Sequence, residues 1–161
     1  MRYVRSALLD SLVRCAVALS IMTVPARAQS PDHDAAYQVV QKLFDAMRAR
    51  DTSAMRSAFV PNASMQTLSA TDVKFDAVDG WISGVARARN GLVLDERLAN
   101  PVVHVDANLA NIWVDYWFFA GDRFSHCGVD AFLLAKHDGR WRIYSVVDTR
   151  RTEGCAPAPP R

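Results

Sequence analysis

Most of the short motifs that would name a reaction are missing from this chain. It has no Gly-rich phosphate loop, no dinucleotide fingerprint and no Ser-His-Asp order around a nucleophile elbow, so it reads as a protein without a cofactor. Its four histidines include no H-x-H or H-x-x-x-H spacing, and no metal is expected. No apolar run is long enough to span a bilayer. Charge of one sign is scarce too. The formal charge is +2, and the basic excess lies in the first residues: removing 1–28 takes four of the 19 basic and one of the 17 acidic residues, leaving −1. With no Lys/Arg cluster, the remaining chain has no electrostatic footprint for nucleic acid or an anionic membrane.

Those first residues have an export leader's pattern. Arg2, Arg5 and Arg14 form a positive region, Cys15 to Val24 a short apolar one, and Ala26-Arg27-Ala28 a small-x-small site. Cleavage before Gln29 is expected, giving a periplasmic or secreted protein with no membrane span in the mature chain. Cleavage would also remove Cys15 and leave Cys127 and Cys155, an even pair in an oxidising compartment, for which one disulfide is the expectation. A nucleophilic Cys127 activated by His126 is the weaker alternative, because strand neighbours point to opposite faces.

After a polar leader over 29–33, one domain is expected over 34–151, then a proline-rich tail over 152–161 that belongs to no core. Tyr37, Val40, Phe44 and Met47 recur at helical spacing with Asp32 or Asp34 as cap. Asp51-Thr52 caps a second, short helix that Pro61 stops after Val60. Two weak strands, 62–68 and 73–78, flank a turn at Ser69 to Asp72. Asp79 caps a third helix carrying Trp81, Ile82 and Val85, and Asn90-Gly91 ends it. Leu92 to Val105 reads as a long strand that bends at Pro101.

The strongest pattern is a three-strand meander over 112–119, 124–136 and 140–149, turned by Gly121-Asp122 and Asp138-Gly139. Two-residue loops set Trp117 opposite His126, Asp115 opposite Gly128, Trp113 opposite Asp130, and Asp130 opposite Val147. One face then mixes Trp113, Asp115, Trp117, His126, Asp130 and Phe132. The other carries Ile112, Val114, Tyr116, Phe118, Val129, Ala131 and Leu133, apolar enough to predict a homodimer packed sheet on sheet.

Three helices, one inserted between strands, followed by a long bent meander resemble the nuclear transport factor 2-like superfamily. The residues Ser125-His126-Cys127-Gly128-Val129-Asp130-Ala131-Phe132, Asp138-Gly139-Arg140-Trp141-Arg142-Ile143 and Asp148-Thr149-Arg150-Arg151, with Trp113, Tyr116 and Phe118, look like its lumazine-binding-like or polyketide-cyclase-like branch. The resemblance implies an α+β fold, a cone-shaped curved antiparallel or mixed sheet wrapped around N-terminal helices. It also implies that any enzymatic base is an Asp or His inside the cone.

Asp115, Asp130 and His126 are therefore the catalytic candidates. Paired carboxylates in an apolar wall raise at least one pKa toward neutrality, which suits acid–base work. The alternative is that each carboxylate is satisfied by a backbone N–H, an indole or an Arg. Tyr37, Phe44, Trp81, Trp113, Tyr116, Trp117 and Phe132 are candidate pocket residues for a small apolar ligand, or plain core. Three readings follow: an exported small-molecule binder, an isomerase or dehydratase with a pocket Asp as base, or a dimerisation module with a filled cavity.

Overall fold

The computed structural model describes residues 31–160, and the expected leader over 1–28 lies outside them. Asp32 and Asp34 put negative charge in the first turn of α1 (Pro31–Ala49) and Arg48 puts positive charge in its last, complementing the helix dipole at both ends. Its buried stripe is Ala36, Val40, Leu43, Phe44 and Met47. The cap of α2 (Thr52–Ser57) is Asp51, whose side chain accepts from the Ala54 N–H at 2.9 Å. This helix ends before Ala58, and Pro61 lies inside β1 (Phe59–Leu68) instead of terminating a helix. Ser69 to Asp72 turns the chain into β2 (Val73–Ala77). In α3 (Val78–Ala86) the N-cap is Ala77 and Asp79 sits within the first turn.

Four long strands follow: β3 (Leu94–Asp106), β4 (Leu109–Ala120), β5 (Arg123–His137) and β6 (Arg140–Thr149). The sheet order is β2-β1-β6-β5-β4-β3, with β1 parallel to β6 and every other pair antiparallel. The fold is α+β, with an open mixed sheet. β3 shifts register between Ala99 and Val102, where Pro101 cannot donate to the ladder. α1 packs across β3, β4 and β6, and the core under it holds Ile112, Val114, Phe132, Leu134, Ile143 and Val146.

Two bulges correct the expected register. The Gly121-Asp122 loop pairs Ala120 with Arg123 and Phe119 with Phe124 as expected, but an irregularity then sets Phe118 opposite His126 and leaves Ser125 unpaired. From there the pairing is Trp117 with Cys127, Tyr116 with Gly128, Asp115 with Val129 and Val114 with Asp130. A second irregularity beside Leu133 and Leu134 leaves Tyr144 unpaired and puts Asp130 opposite Asp148 instead of Val147. Each added residue exchanges the faces beyond it.

Helices therefore cover Ile112, Val114 and Tyr116, the face from which the dimer was argued. The outer face carries Trp113, 51% exposed, with Val102 at 48% beside it and Leu109 at 46% further along. The tail is not loose beside it. Cys127 is bonded to Cys155, the Trp117 indole N–H donates to Ala156 O at 2.7 Å, and Arg97 donates to Pro159 O at 3.1 Å. Trp117 is buried because the tail lies over it.

Candidate functional site

Asp130 is 3% exposed in the middle of β5, and its Oδ2 has no hydrogen-bond donor. A carboxylate in that position costs several kcal/mol unless it is protonated or paired. The group that meets it is another acid: Glu96, the inward residue between Leu94 and Leu98 on β3, lines the same small cavity, and hydrogen bonding between the two carboxyls is among the causes of both their pKa shifts. Two carboxyls can bond only by sharing a proton. Burial raises Glu96 to about 7. Burial, then the charge of Glu96, raises Asp130 well above the ordinary carboxylate range.

Around this pair the strands bring further polar groups. Asp148 Oδ2 accepts from Arg150 Nε at 2.8 Å and Asp148 Oδ1 from the Thr67 hydroxyl at 2.6 Å, so this carboxylate is satisfied. The Tyr116 hydroxyl donates to Thr149 O at 2.8 Å, and burial raises its pKa. His126 stacks at 5.1 Å on Phe118, with Ser125 Oγ 2.9 Å from its Nδ1. Burial and then Arg150 lower its pKa, so the ring is neutral at pH 7.

These residues surround a hollow in two parts. A small cavity of about 50 Å³ forms the floor, lined by Asp130, Glu96, Asp148 and Arg150 with Phe44, Phe59, Trp81, Tyr116 and Phe132. A vestibule of about 360 Å³ shares Trp81, Glu96, His126 and Arg150 with it and continues along Phe118, Leu94, Gly80 and Gly84 to Lys74 and Asp76. A larger groove, about 660 Å³, runs between α1 and β3, but Gln38, Gln41, Lys42 and Asp45 give it a solvated wall.

Of the residues singled out in the sequence, the structure gathers Asp130, His126, Phe44, Trp81, Tyr116 and Phe132 around the floor cavity. Tyr37 lines the α1–β3 groove instead. Asp115, Trp113 and Trp117 are on the other face of the sheet, with Asp115 accepting from Asn100 Nδ2 at 2.9 Å, so Asp115 is not the partner of Asp130. The bulge at Ser125 is the reason. The true partners, Glu96, Asp148 and Arg150, were missed. Glu96 alternates with Leu94 and Leu98, and Asp148 with Val146, which was the available signal.

The shared proton gives stability a pH dependence. Asp130 and Glu96 hold protons in the folded protein that the unfolded chain would release near the ordinary carboxylate pKa. The folded state therefore binds more protons over that interval, and stability falls as pH rises from about 4 through about 7. Asp32, held low by its hydrogen bond to Lys136, acts only below that window; His126, lowered from 6.5, works in the opposite sense within it, one group against the two carboxyls. Thermal melts should give a higher Tm at about pH 5 than at about pH 8, with the difference reduced in Asp130→Asn. An unchanged slope in that variant would show that Asp130 is ionised throughout.

The arrangement of N-terminal helices on an open mixed sheet is that of the nuclear transport factor 2-like proteins. The profile of the family described as "Putative lumazine-binding" matches residues 31–147, and the chain belongs to that family. A nuclear transport factor 2-like protein of unknown function from Silicibacter pomeroyi is 24% identical, with a TM-score of 0.60 over 74% of this chain and 97% of that one. A protein of unknown function with a cystatin-like fold from Nostoc punctiforme is 8% identical, with a TM-score of 0.62 over 78% and 95%. A "putative dehydratase from the NTF2-like family" from Streptomyces avermitilis is 13% identical, with a TM-score of 0.60 over 74% and 96%. At these identities the structural likeness establishes the fold alone. No curated protein matches the chain in sequence.

Proposed function

We propose that this is an exported protein that binds a small, largely apolar molecule in the cone. The observation that carries the reading is the vestibule of about 360 Å³ leading to a buried carboxyl with an unpartnered oxygen, the combination of apolar wall and few convergent polar groups that ligand sites have. The family's description as lumazine-binding and the Cys127–Cys155 bond, of the kind that persists in oxidising compartments, support it. An open vestibule counts against a cavity filled by its own side chains.

Gly84 offers the test. It lines the vestibule from α3, and a Cβ there meets nothing within 4 Å. Gly84→Leu should fill the vestibule while leaving the fold intact, since the helix gains a better former by up to about 1 kcal/mol. Fluorescence titration with Nile red should give binding to the wild type and a loss of about tenfold or more in the variant, at equal or higher Tm. Equal binding by both would place the dye elsewhere and remove the cone as its site.

A second reading, a cofactor-independent isomerase or dehydratase, draws on the same proton. Asp130 would move it while neutral His126 donates an N–H; the Tyr116 hydroxyl is already committed to Thr149 O. Turnover of an enolisable ketone, abolished by Asp130→Asn, would carry that reading; binding without turnover would leave the first.

A further inference from the structure

The floor and the vestibule differ in size and in chemistry. About 50 Å³ is little more than the roughly 30 Å³ share of one liquid water, so the floor admits a single head group and the body of a ligand must stay in the vestibule. The floor's charges are Asp130 and Glu96 from the sheet centre, with Asp148 tied to Arg150 at 2.8 Å. The ion pair cancels itself, and once Glu96 ionises above about pH 7 the two acids hold one proton between them, which leaves a net negative floor. Asp130 Oδ2 is an acceptor without a donor. Around it Phe44, Phe59, Trp81 and Tyr116 present rings, whose faces attract cations. α1 contributes only Leu43 and Phe44 to the floor and α3 only Trp81, so no helix brings a charge to it. At the mouth, Lys74 and Asp76 of β2 pair at 2.9 Å, and His126 from β5 stays neutral.

We propose that the floor is an ammonium site: the ligand carries a protonated amine, bound by Asp130 and Glu96, while its apolar body lies in the vestibule against Trp81 and Phe118. This rests on the cone being the ligand site. An ammonium brings three donors to a place that has acceptors to spare. On entry, N–H···O bonds to both carboxylates replace the carboxyl–carboxyl bond. The proton that the acids shared leaves to solvent, one per ligand bound, and no other bond forms or breaks. Affinity for the amine therefore rises with pH, by up to about tenfold per pH unit while the acids remain protonated. A neutral ligand of the same shape has no such dependence.

The test uses phenethylamine and phenethyl alcohol as probes, with calorimetric titration against wild type, Asp130→Asn, Glu96→Gln and Gly84→Leu. The expected result is a preference of about tenfold or more for the amine at about pH 8, shrinking toward none at about pH 5. Proton release should show as a binding enthalpy that changes with buffer. Asp130→Asn and Glu96→Gln should lose the pH-dependent preference for the amine over the alcohol. Because each keeps the shape and removes one charge, failure of one variant to fold leaves the other as the reading. Equal affinities for amine and alcohol in the wild type, or a preference that survives in both variants, overturn the ammonium site. If Gly84→Leu then abolishes binding of the alcohol, the cone remains the ligand site; if neither probe binds the wild type while Nile red binds outside the cone, both readings fall.

Discussion

Gly128→Ala is expected to destabilise the protein by about 3 kcal/mol or more, or to prevent folding. Gly128 stands on β5 directly opposite Tyr116, and a Cβ there would lie 1.8 Å from Thr149 O and 2.7 Å from Tyr116 Cε1. The first contact is with backbone and cannot be relieved by a rotamer change. Thr149 O also accepts the Tyr116 hydroxyl at 2.8 Å, so moving it breaks that bond and leaves the buried phenol only a longer one, 3.3 Å, to Asp148 Oδ2. Beyond it the chain is fixed again, because Cys127 and Arg151 exchange both backbone hydrogen bonds at 3.0 Å. The absence of a side chain lets β6 cross close enough to bring Asp148 and Arg150 to the floor of the cone. Urea denaturation of Gly128→Ala beside Gly80→Ala makes the comparison: a Cβ at Gly80, on α3, meets nothing within 4 Å, so that variant should be as stable as wild type or slightly more so. Equal midpoints for Gly128→Ala and wild type would mean that the two strands are not packed this closely.

Removing the disulfide by Cys127→Ser with Cys155→Ser is expected to cost about 3 to 4 kcal/mol and lower the Tm by about 10 °C. The two cysteines are 28 residues apart, and the cross-link removes the freedom of that loop from the unfolded chain. The bond also tethers the tail. Without it, Ala156 would be held over Trp117 only by the 2.7 Å indole bond and by Arg97 on Pro159, so Trp117, now 7% exposed, should show a red-shifted emission in the double variant. Two titratable thiols in unfolded, unreduced protein recovered from an oxidising compartment would reject the bond.

Local chemistry made much of the architecture legible. Asp51 announced α2, Gly121-Asp122 and Asp138-Gly139 announced the turns of the meander, and Pro101 announced the bend in β3. Each signal acts on its own neighbours: a side chain caps the next turn of helix, a positive φ closes a two-residue loop, a missing N–H interrupts a ladder. The pairing of Cys127 with Cys155 was an expectation that rested on the loss of Cys15 with the expected leader, and the structure brings those two together.

The site was half legible. Asp130, His126, Phe44, Trp81, Tyr116 and Phe132 were named and line the floor; Asp115, Trp113 and Trp117 were named and face away from it. Alternation fixes which residues of one strand share a face, but it does not fix which face of the next strand they join. That depends on register. The bulges at Ser125 and Tyr144 carry no turn residue to betray them; they are set by packing, where His126 stacks on Phe118 and Asp148 meets Thr67 across a parallel pair 81 residues apart in sequence. Glu96 reaches Asp130 only because β3 and β5 flank β4 in the curved sheet. The sequence by itself thus determined most of the elements and their order, because those follow from interactions between near neighbours. The tertiary structure alone decided which carboxyls share a proton, because a one-residue slip costs nothing in local propensity yet carries a strand's whole set of side chains to the opposite face.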